Sequence, residues 1–200
     1  MKVTRGYGLL EGLLAKKRAL MANNLISPHL RHGRILDIGC GSFPYFLKYT
    51  EFAEKYGIDK TVSDTTIEGF REEDIILSND DIEKEGRIPF DDGYFDVVTM
   101  LAVIEHIEPE RLDGIIGEVR RILKSGGLLI ITTPASWTDG LLRFMAGLHL
   151  VSRIEIDEHK ATYTPSNIIF MLEHAGFVKD RIRTGYFELF MNIWTVAYRV

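Results

Sequence analysis

Three carboxylates and a glycine turn carry the chemistry that this sequence offers. The stretch "ILDIGCGSF" indicates a buried strand that ends in Gly39-Cys40-Gly41, with Asp37 two residues before the turn. Asp59 follows Gly39 by twenty residues, at the end of a second candidate strand, where a carboxylate can accept both hydrogen bonds of a ribose diol. Because glycines allow a ligand to approach the backbone closely, the pattern predicts a nucleoside site.

The residues around the turn disfavour a diphosphate ligand. Asp37 would repel a diphosphate but would attract a ligand that carries an ammonium group. Pro44 stands where a dinucleotide-binding loop has its third glycine, which lets the first helix pack closely under the dinucleotide. We interpret Pro44 as the start of a helix. A nicotinamide-dependent oxidoreductase that uses the same ribose acid is therefore the less favoured alternative.

Two further residues follow a third candidate strand. Asp81 can accept a hydrogen bond from an adenine amino group, and Ile82 can pack on the face of the ring. A glycine turn alone is weak evidence, since any tight turn from strand to helix favours glycine. The set of acids therefore supports a nucleoside site more strongly than the turn does.

Short apolar runs that alternate with helical segments would place these residues at one edge of a sheet. This repetition predicts the α/β class, with a doubly wound and mainly parallel sheet. The run "FDVVTML" agrees, because strands that are covered on both faces are continuously apolar. The strands are expected at 35–38, 55–58, 75–77, 95–101 and 128–132, with helices at 43–50, 65–70 and 109–123 between them.

The two ends of the chain differ from this central pattern. A helix over 9–26 is expected to leave Lys16-Lys17-Arg18 in solvent and to bury its apolar residues, Leu10, Leu13, Leu14 and Met21. Near the other end, "TPSNIIFMLEHAGF" predicts a helix that is capped by Thr164 and ends before Gly176. Two β-rich segments, about 180–187 and 192–199, can form an antiparallel pair.

Composition narrows the class of protein. The chain has 200 residues, 46% of them hydrophobic, and a net charge of −5, which suits one globular domain. General nucleic-acid binders carry basic runs that this sequence lacks, so nucleic-acid partners are disfavoured. The single cysteine, Cys40, permits no intramolecular disulfide, and the Cys/His spacings of a zinc site are absent. We therefore expect no metal and a reducing, cytoplasmic location, with no signal peptide or transmembrane segment.

Four stretches, taken in order, resemble the class I S-adenosylmethionine-dependent methyltransferases. The resemblance implies a Rossmann-like fold of seven strands with an antiparallel last strand, and S-adenosylmethionine as the cofactor. It covers about 35–134 closely and extends more loosely through "TYTPSNIIFMLEHAGF". The four stretches are "ILDIGCGSF", "YGIDK", "DDIEKEGRIPFDDGYFDVVTMLAVIEHIEP" and "EVRRILKSGGLLIITTP".

The resemblance also implies roles for single residues. A sulfonium donor with an ammonium and a carboxylate at its other end can use both Asp37 and the backbone amides of the turn. Cys40 is a common type of residue in this turn of the family, and we interpret it as a small packing residue. The implied cofactor contacts are Asp37, Gly39, Cys40 and Gly41 at the methionine moiety, Asp59 at the ribose, Lys60 next to it, Asp81 and Ile82 at the adenine, and Leu101 at the end of the fourth strand.

The catalytic groups are less defined than the cofactor contacts. Methyl transfer is an in-line displacement in which positioning supplies much of the rate, and a base matters for a hydroxyl or a protonated amine. The candidates are Glu105 and His106 after the fourth strand, and His159 with Tyr163 further on. Each has a structural alternative: the pair can tether the next helix, His159 can be a solvated loop residue, and Tyr163 can pack against the late helix.

The acceptor is predicted only by class. The sequence lacks the Asp/Asn-Pro-Pro-aromatic and Pro-Cys motifs of methyltransferases that act on nucleic-acid bases, so we expect a small-molecule acceptor or a lipid- or sugar-linked one. A non-catalytic member that only binds the cofactor remains the alternative. Apolar residues of the long connection can line an acceptor pocket, although such residues more often serve the core or a homodimer contact; they are Trp137, Phe144, Met145 and Leu148.

The expected organisation is one methyltransferase domain over 1–200. Its parts are an N-terminal helix at 1–30, a cofactor-binding core at 31–134, a candidate acceptor lid at 135–163 with a helix near 140–151, and the late helix with the strand pair at 164–200. A connection as long as 135–163 within a compact domain is usually functional.

Overall fold

A seven-stranded sheet forms the centre of the computed structural model, which describes residues 11–138 and 160–200. Its strands are β1 (Arg34–Ile38), β2 (Glu54–Ile58), β3 (Ile75–Ser78), β4 (Phe95–Leu101), β5 (Leu123–Pro134), β6 (Ile182–Phe187) and β7 (Asn192–Tyr198). Their order in the sheet is β3-β2-β1-β4-β5-β7-β6. Strands β1 to β5 are parallel, and β7 is antiparallel to both of its neighbours. The predicted doubly wound, mainly parallel sheet is confirmed.

Helices connect the strands. The predicted helices that fall within the described residues are present, with ends shifted by a few positions. One further helix is a single turn that the pattern does not reveal, because four residues show no helical period. The helix predicted near 140–151 and residues 9 and 10 lie outside the described part. The helices are α1 (Glu11–Leu25), α2 (Tyr45–Lys48), α3 (Asp64–Arg71), α4 (Ile82–Glu85), α5 (Pro109–Ile122) and α6 (Pro165–His174).

The sheet buries an apolar layer on each face. Successive side chains of a strand point to opposite faces, so Ile35 packs with the residues of α1, α2 and α3, and Leu36 packs with those of α5 and α6. Both faces are therefore used for the core. Side chains that serve a ligand must come from the ends of the strands and from the loops that follow them.

The inward face of α1 differs from the prediction. Ala19 and Ala22 are buried in the core, whereas Leu13 is exposed and Leu14 and Met21 are half-buried. Alanine side chains let the helix lie close to α2 and the sheet, and the larger leucine is left on the outer side. The expectation that Leu13 faces the core is therefore wrong.

Local signals place the ends of two helices. Pro44 directly precedes α2, and its carbonyl accepts the N–H of Lys48 at 3.0 Å, which confirms that a helix begins there. Thr164 and Asn167 form a reciprocal capping box at the start of α6. Gly176 follows the end of α6 with a φ of +90°, a conformation that favours glycine.

The turn between β6 and β7 lies at the edge of the sheet where the parallel strands end. Asn192, the first residue of β7, pairs with Pro134, the last residue of β5. Ala135 donates its backbone N–H to the carbonyl of Met191 at 2.8 Å. This turn therefore shares the carboxyl edge with the loops that follow β1 to β4.

Candidate active site

The candidate site is the carboxyl edge where β1 and β4 lie side by side. The chain runs outward from β1 to β2 and β3 on one side and from β4 to β5 on the other, so the connections leave this point in opposite directions. In open α/β sheets such a reversal opens a crevice that binds ligands. Asp37 and Asp59 lie at the ends of neighbouring strands there, because Ile38 pairs with Ile58.

The glycine turn after β1 is held by its neighbour strand and open on its outer side. Gly39 donates its N–H to the carbonyl of Ile58 at 2.8 Å. Both glycines of the turn have positive φ, +74° for Gly39 and +72° for Gly41. A Cβ on Gly41 would meet no heavy atom of the described residues within 4 Å, which leaves room for a ligand against the backbone.

Asp59 is joined directly to the glycine turn. Its Oδ2 accepts the backbone N–H of Gly41 at 3.0 Å. Its Oδ1 accepts both the N–H of Thr61 at 2.8 Å and the hydroxyl of the same residue. The structure thus brings the predicted ribose acid and the predicted methionine turn together, and it holds the buried carboxylate in one orientation.

Asp37 is a buried carboxyl beside a second acid. The hydroxyl of Thr99 on β4 donates to Asp37 Oδ1 at 2.6 Å. Burial raises the pKa of Asp37 to about 7, the Thr99 hydrogen bond opposes that shift, and the charge of Asp59 adds to it. A cation that reached this pocket would favour the ionised form, so the site fits a ligand with an ammonium group.

The loop after β3 begins with Asp81, which caps α4. Its Oδ1 accepts the N–H of Lys84 at 3.2 Å. Lys60, next to Asp59, places its Nζ 3.9 Å from Asp81 Oδ2. Ile82 is half-buried against the core. The predicted ribose and adenine contacts are therefore neighbours along the same edge.

The segment after β4 packs onto the glycine turn. Leu101 ends the strand, and Ala102 has a positive φ of +58°, which is uncommon for a residue with a side chain. A Cβ on Gly39 would come within 2.4 Å of Val103 Cγ2. Glycine at position 39 is thus needed for close packing as well as for its backbone conformation.

Glu105 is a second buried carboxyl, next to the candidate base His106. Thr133 on β5 donates its hydroxyl to Glu105 Oε2 at 3.1 Å. Burial raises the pKa of Glu105, and nearby His106 and Arg18 oppose that shift. The N-terminus of α5 has no side-chain cap. The pair therefore does not cap the next helix; Glu105 connects the turn after β4 to β5.

The residues that end the long connection contact the same turn. Lys160 donates its backbone N–H to the Glu105 carbonyl at 2.8 Å. The hydroxyl of Tyr163 donates to the carbonyl of Ile104 at 3.4 Å. Burial raises the pKa of Tyr163 to about 12, so its phenolate is not available as a base at neutral pH. His159, the other candidate base, lies outside the described residues, as do Phe144, Met145 and Leu148.

Three contributors to the site escape the sequence patterns. Thr99 is the one polar residue in the run from Val97 to Leu101 of β4, and that exception is the signal that could have revealed it. Thr61 fixes Asp59 and has no motif of its own. Lys160 joins the connection to α4 and to the start of α5, because its Nζ lies 3.2 Å from Glu83 and 3.0 Å from Glu108.

The fold and the site define a class of protein, and the sequence belongs to a known family within it. The sheet order, the glycine turn and the ribose acid together define a class of α/β proteins that bind a nucleoside at the carboxyl edge. A family model described as "Methyltransferase domain" matches residues 10–181. The chain therefore belongs to the class I S-adenosylmethionine-dependent methyltransferase family, and its cofactor is S-adenosylmethionine. No curated protein matches the sequence.

Solved structures support the same fold. A methyltransferase from Archaeoglobus fulgidus has a TM-score of 0.68 at 19% identity, over 94% of this chain and 93% of that one. One from Thermotoga maritima also has a TM-score of 0.68, at 18% identity, over 94% and 90%. An N-methyltransferase from Haemonchus contortus, in complex with phosphomonomethylethanolamine and S-adenosylhomocysteine, has a TM-score of 0.68 at 14% identity, over 92% of this chain and 52% of that one.

Proposed function

We propose that this methyltransferase transfers the methyl group of S-adenosylmethionine to a small-molecule acceptor, or to a lipid- or sugar-linked one. The acceptor enters beside the segment that follows β4. The observation that carries the proposal is the joining of Asp59 to the Gly41 backbone next to the buried Asp37. That arrangement offers a ribose acceptor, an open backbone and an anionic partner for an ammonium group within one crevice.

The proposed donor contacts use this geometry. Asp37 binds the ammonium of the methionine moiety, and Asp59, with Lys60 beside it, binds the ribose hydroxyls. The backbone of Gly39-Cys40-Gly41 lies against the methionine chain. Ile82 packs on the adenine, with Asp81 at its amino group, and Leu101 lies beside the cofactor at the end of β4. The sulfonium supplies an activated methyl group, and the protein supplies alignment.

The acceptor contacts are proposed for the other half of the edge. The acceptor atom attacks the methyl carbon in line with the sulfur, which leaves as a thioether. A hydroxyl or a protonated amine must also lose a proton, and His106 or His159 takes it. The described segments that reach this half of the edge, the turn after β4 and residues 160–163, contact each other through Glu105. A homodimer and a cytoplasmic location complete the proposal; the single cysteine supports the location.

The donor assignment is tested by titration calorimetry with S-adenosylhomocysteine. Asp59→Ala should lower the affinity by at least tenfold, because a fixed carboxylate that accepts hydrogen bonds is lost. Asp180→Ala is the matched control, since that exposed acid precedes β6 at the opposite edge. An unchanged affinity in Asp59→Ala would refute the ribose assignment. Stronger thermal stabilisation by NADH than by S-adenosylhomocysteine would favour an oxidoreductase instead.

The acceptor is sought with labelled S-adenosylmethionine and a panel of amines, alcohols, phospholipids and sugar-linked metabolites. Transfer of label to one class identifies it. On that acceptor, His106→Ala and His159→Ala are compared with His32→Ala, an exposed histidine just before β1 at the opposite edge. Full turnover in both of the first two variants would exclude each as the base.

A further inference from the structure

The outer side of α1 is both apolar and basic. Leu13 and Leu20 are 51% and 53% exposed, and Lys16 and Lys17 between them are also exposed. The spacing 13, 16, 17, 20 places the four residues on one face of the helix. The core is served by the alanines on the inner side, so these leucines are not needed for it. Exposed leucines of this kind indicate an interaction surface.

The charge of this helix is opposite to that of the protein. α1 contains two lysines and one arginine, and its single acid is its first residue, Glu11, in a chain whose net charge is −5. An acidic protein is repelled by anionic surfaces as a whole. A local basic face therefore gives it one orientation in which it can approach such a surface.

A second apolar feature lies beside the helix. In the turn after β6, Leu189 is 85% exposed and Phe190 is 68% exposed. Glu188, Leu189 and Phe190 all have positive φ, between 51° and 66°, a conformation that costs about 1 kcal/mol or more for each residue with a side chain. Trp137 supports the turn by donating its Nε1–H to the Phe190 carbonyl at 3.1 Å. The backbone thus holds two large apolar side chains in solvent at an energetic cost.

The helix and the turn are neighbours. Lys17 Nζ lies 3.9 Å from Glu188 Oε1. The turn is at the carboxyl edge of the sheet, as shown by the pairing of Asn192 with Pro134. The two features together therefore border the edge at which the donor site lies.

We propose that this surface docks the protein on a lipid bilayer that contains anionic headgroups. The docking face consists of Leu13, Lys16, Lys17, Leu20, Leu189 and Phe190. Leucine and phenylalanine can enter the boundary between headgroups and acyl chains, while the lysine ammonium groups stay among the anionic headgroups. Basic charges next to apolar anchors favour such a surface over a second copy, because a symmetric dimer through this face would bring the same lysines together. Docking would turn the donor edge toward the bilayer.

The proposal goes beyond the methyltransferase activity and does not require a lipid acceptor. The docking face contacts a membrane surface, and the protein stays on that surface without spanning the bilayer. None of the described helices is long and apolar enough to cross a membrane. The anionic leaflet that faces the cytoplasm has the charge that this face would select.

The test is co-sedimentation of the full chain with vesicles, either of phosphatidylcholine alone or of phosphatidylcholine mixed with phosphatidylserine. We expect binding to the mixed vesicles, little binding to phosphatidylcholine, and weaker binding at high salt. Lys16→Glu/Lys17→Glu should reduce binding to the mixed vesicles by at least tenfold, since each lysine near the surface contributes a factor of about five. Leu189→Ser/Phe190→Ser should reduce it by a similar factor.

Matched controls lie at the opposite edge and on another helix. Lys179→Glu/Arg181→Glu reverses two exposed charges just before β6, and Phe170→Ser/Val178→Ser removes two exposed apolar side chains. Both control variants should bind as the wild type does. Circular dichroism and the thermal midpoint show that each variant is folded, and the Leu189/Phe190 variant provides an independent test if the charge reversal beside Glu188 unfolds the chain.

Three results would overturn the proposal. The first is the absence of binding to mixed vesicles, and the second is binding that the controls weaken as much as the docking-face variants. The third is a dimer in analytical ultracentrifugation that Leu189→Ser/Phe190→Ser dissociates, because the face would then be covered by a second copy. S-adenosylhomocysteine binding, measured on the same preparations, reports separately on the proposed donor site.

Discussion

Two buried carboxyl groups at the same edge of the sheet have similar surroundings and different charges near them. Asp37 on β1 and Glu105 after β4 each accept a threonine hydroxyl from a neighbouring strand. Burial raises the pKa of both. Asp37, however, faces another acid, Asp59, whereas Glu105 has a histidine and an arginine nearby.

The difference separates a ligand group from a structural one. The protein itself provides a cation near Glu105, the guanidinium of Arg18, so that carboxyl does not depend on a ligand. Among the described residues, the charge that acts on Asp37 is that of Asp59, which has the same sign and makes the ionised form unfavourable until a cation arrives from outside. The comparison predicts that Asp37 responds to the donor and that Glu105 does not.

The largest expected effect is on donor affinity. Asp37→Asn removes the anionic partner of the ammonium group and should weaken S-adenosylmethionine binding about 100-fold at pH 8, as expected for a buried charged pair. Calorimetry measures the loss, with Asp180→Asn as the control. A change of less than threefold would show that Asp37 does not contact the ammonium.

The next effect is on stability without ligand. Because the folded pKa of Asp37, about 7, lies above its ordinary value of 3.8, its contribution to stability is full below about pH 4 and is lost as the pH rises through 7. Asparagine has no such penalty. The stability of Asp37→Asn relative to wild type should rise by about 2.5 kcal/mol between pH 5 and pH 8, as measured by urea unfolding. A constant difference would contradict the raised pKa.

A smaller effect is the pH dependence of binding. The ammonium requires ionised Asp37, so the wild-type protein must release a proton to bind below pH 7. Affinity for S-adenosylmethionine should therefore rise about tenfold from pH 6 to pH 8 and then level off. Asp37→Asn should show a flat profile over the same range. A tenfold rise that persists in the variant would assign the titration to another group.

The smallest effect belongs to the other carboxyl. Glu105→Gln keeps an oxygen that accepts the Thr133 hydroxyl, so donor affinity should stay within about twofold of wild type and stability within about 1 kcal/mol. Calorimetry and urea unfolding measure both. Thr133→Val serves as a companion variant, since it removes the hydroxyl that donates a hydrogen bond to Glu105 and leaves the carboxyl group. A large loss of donor affinity in Glu105→Gln would erase the distinction between the two groups.

Sequence patterns predict the donor half of this edge for a physical reason. Asp37, Asp59 and Asp81 each follow or end an apolar strand, and strand periodicity locates strand ends without knowledge of packing. The residues that hydrogen-bond to these acids cannot be located in the same way. Thr99 meets Asp37 only through the register of β1 against β4, which joins residues 62 positions apart. That register is a property of the folded sheet.

The inward face of α1 is a second feature that sequence patterns do not predict. Helical spacing correctly predicts the helix but assigns Leu13 to the core, because spacing ranks residues by hydrophobicity and takes no account of distance. Close approach to the sheet selects small side chains, so Ala19 and Ala22 occupy the interface. Packing distance therefore overrides hydrophobicity here.

The bond between Gly41 and Asp59 has a consequence for how binding is driven. Three donors, two from backbone N–H groups and one from a hydroxyl, already fix the ribose acid before any nucleoside arrives. The Asp59 side chain therefore has little conformational freedom left to lose on binding. The crevice is preorganised, and the entropy lost on binding is mainly that of the ligand. Removing the Thr61 hydroxyl should then make binding less favourable in entropy while leaving each contact to the ligand in place.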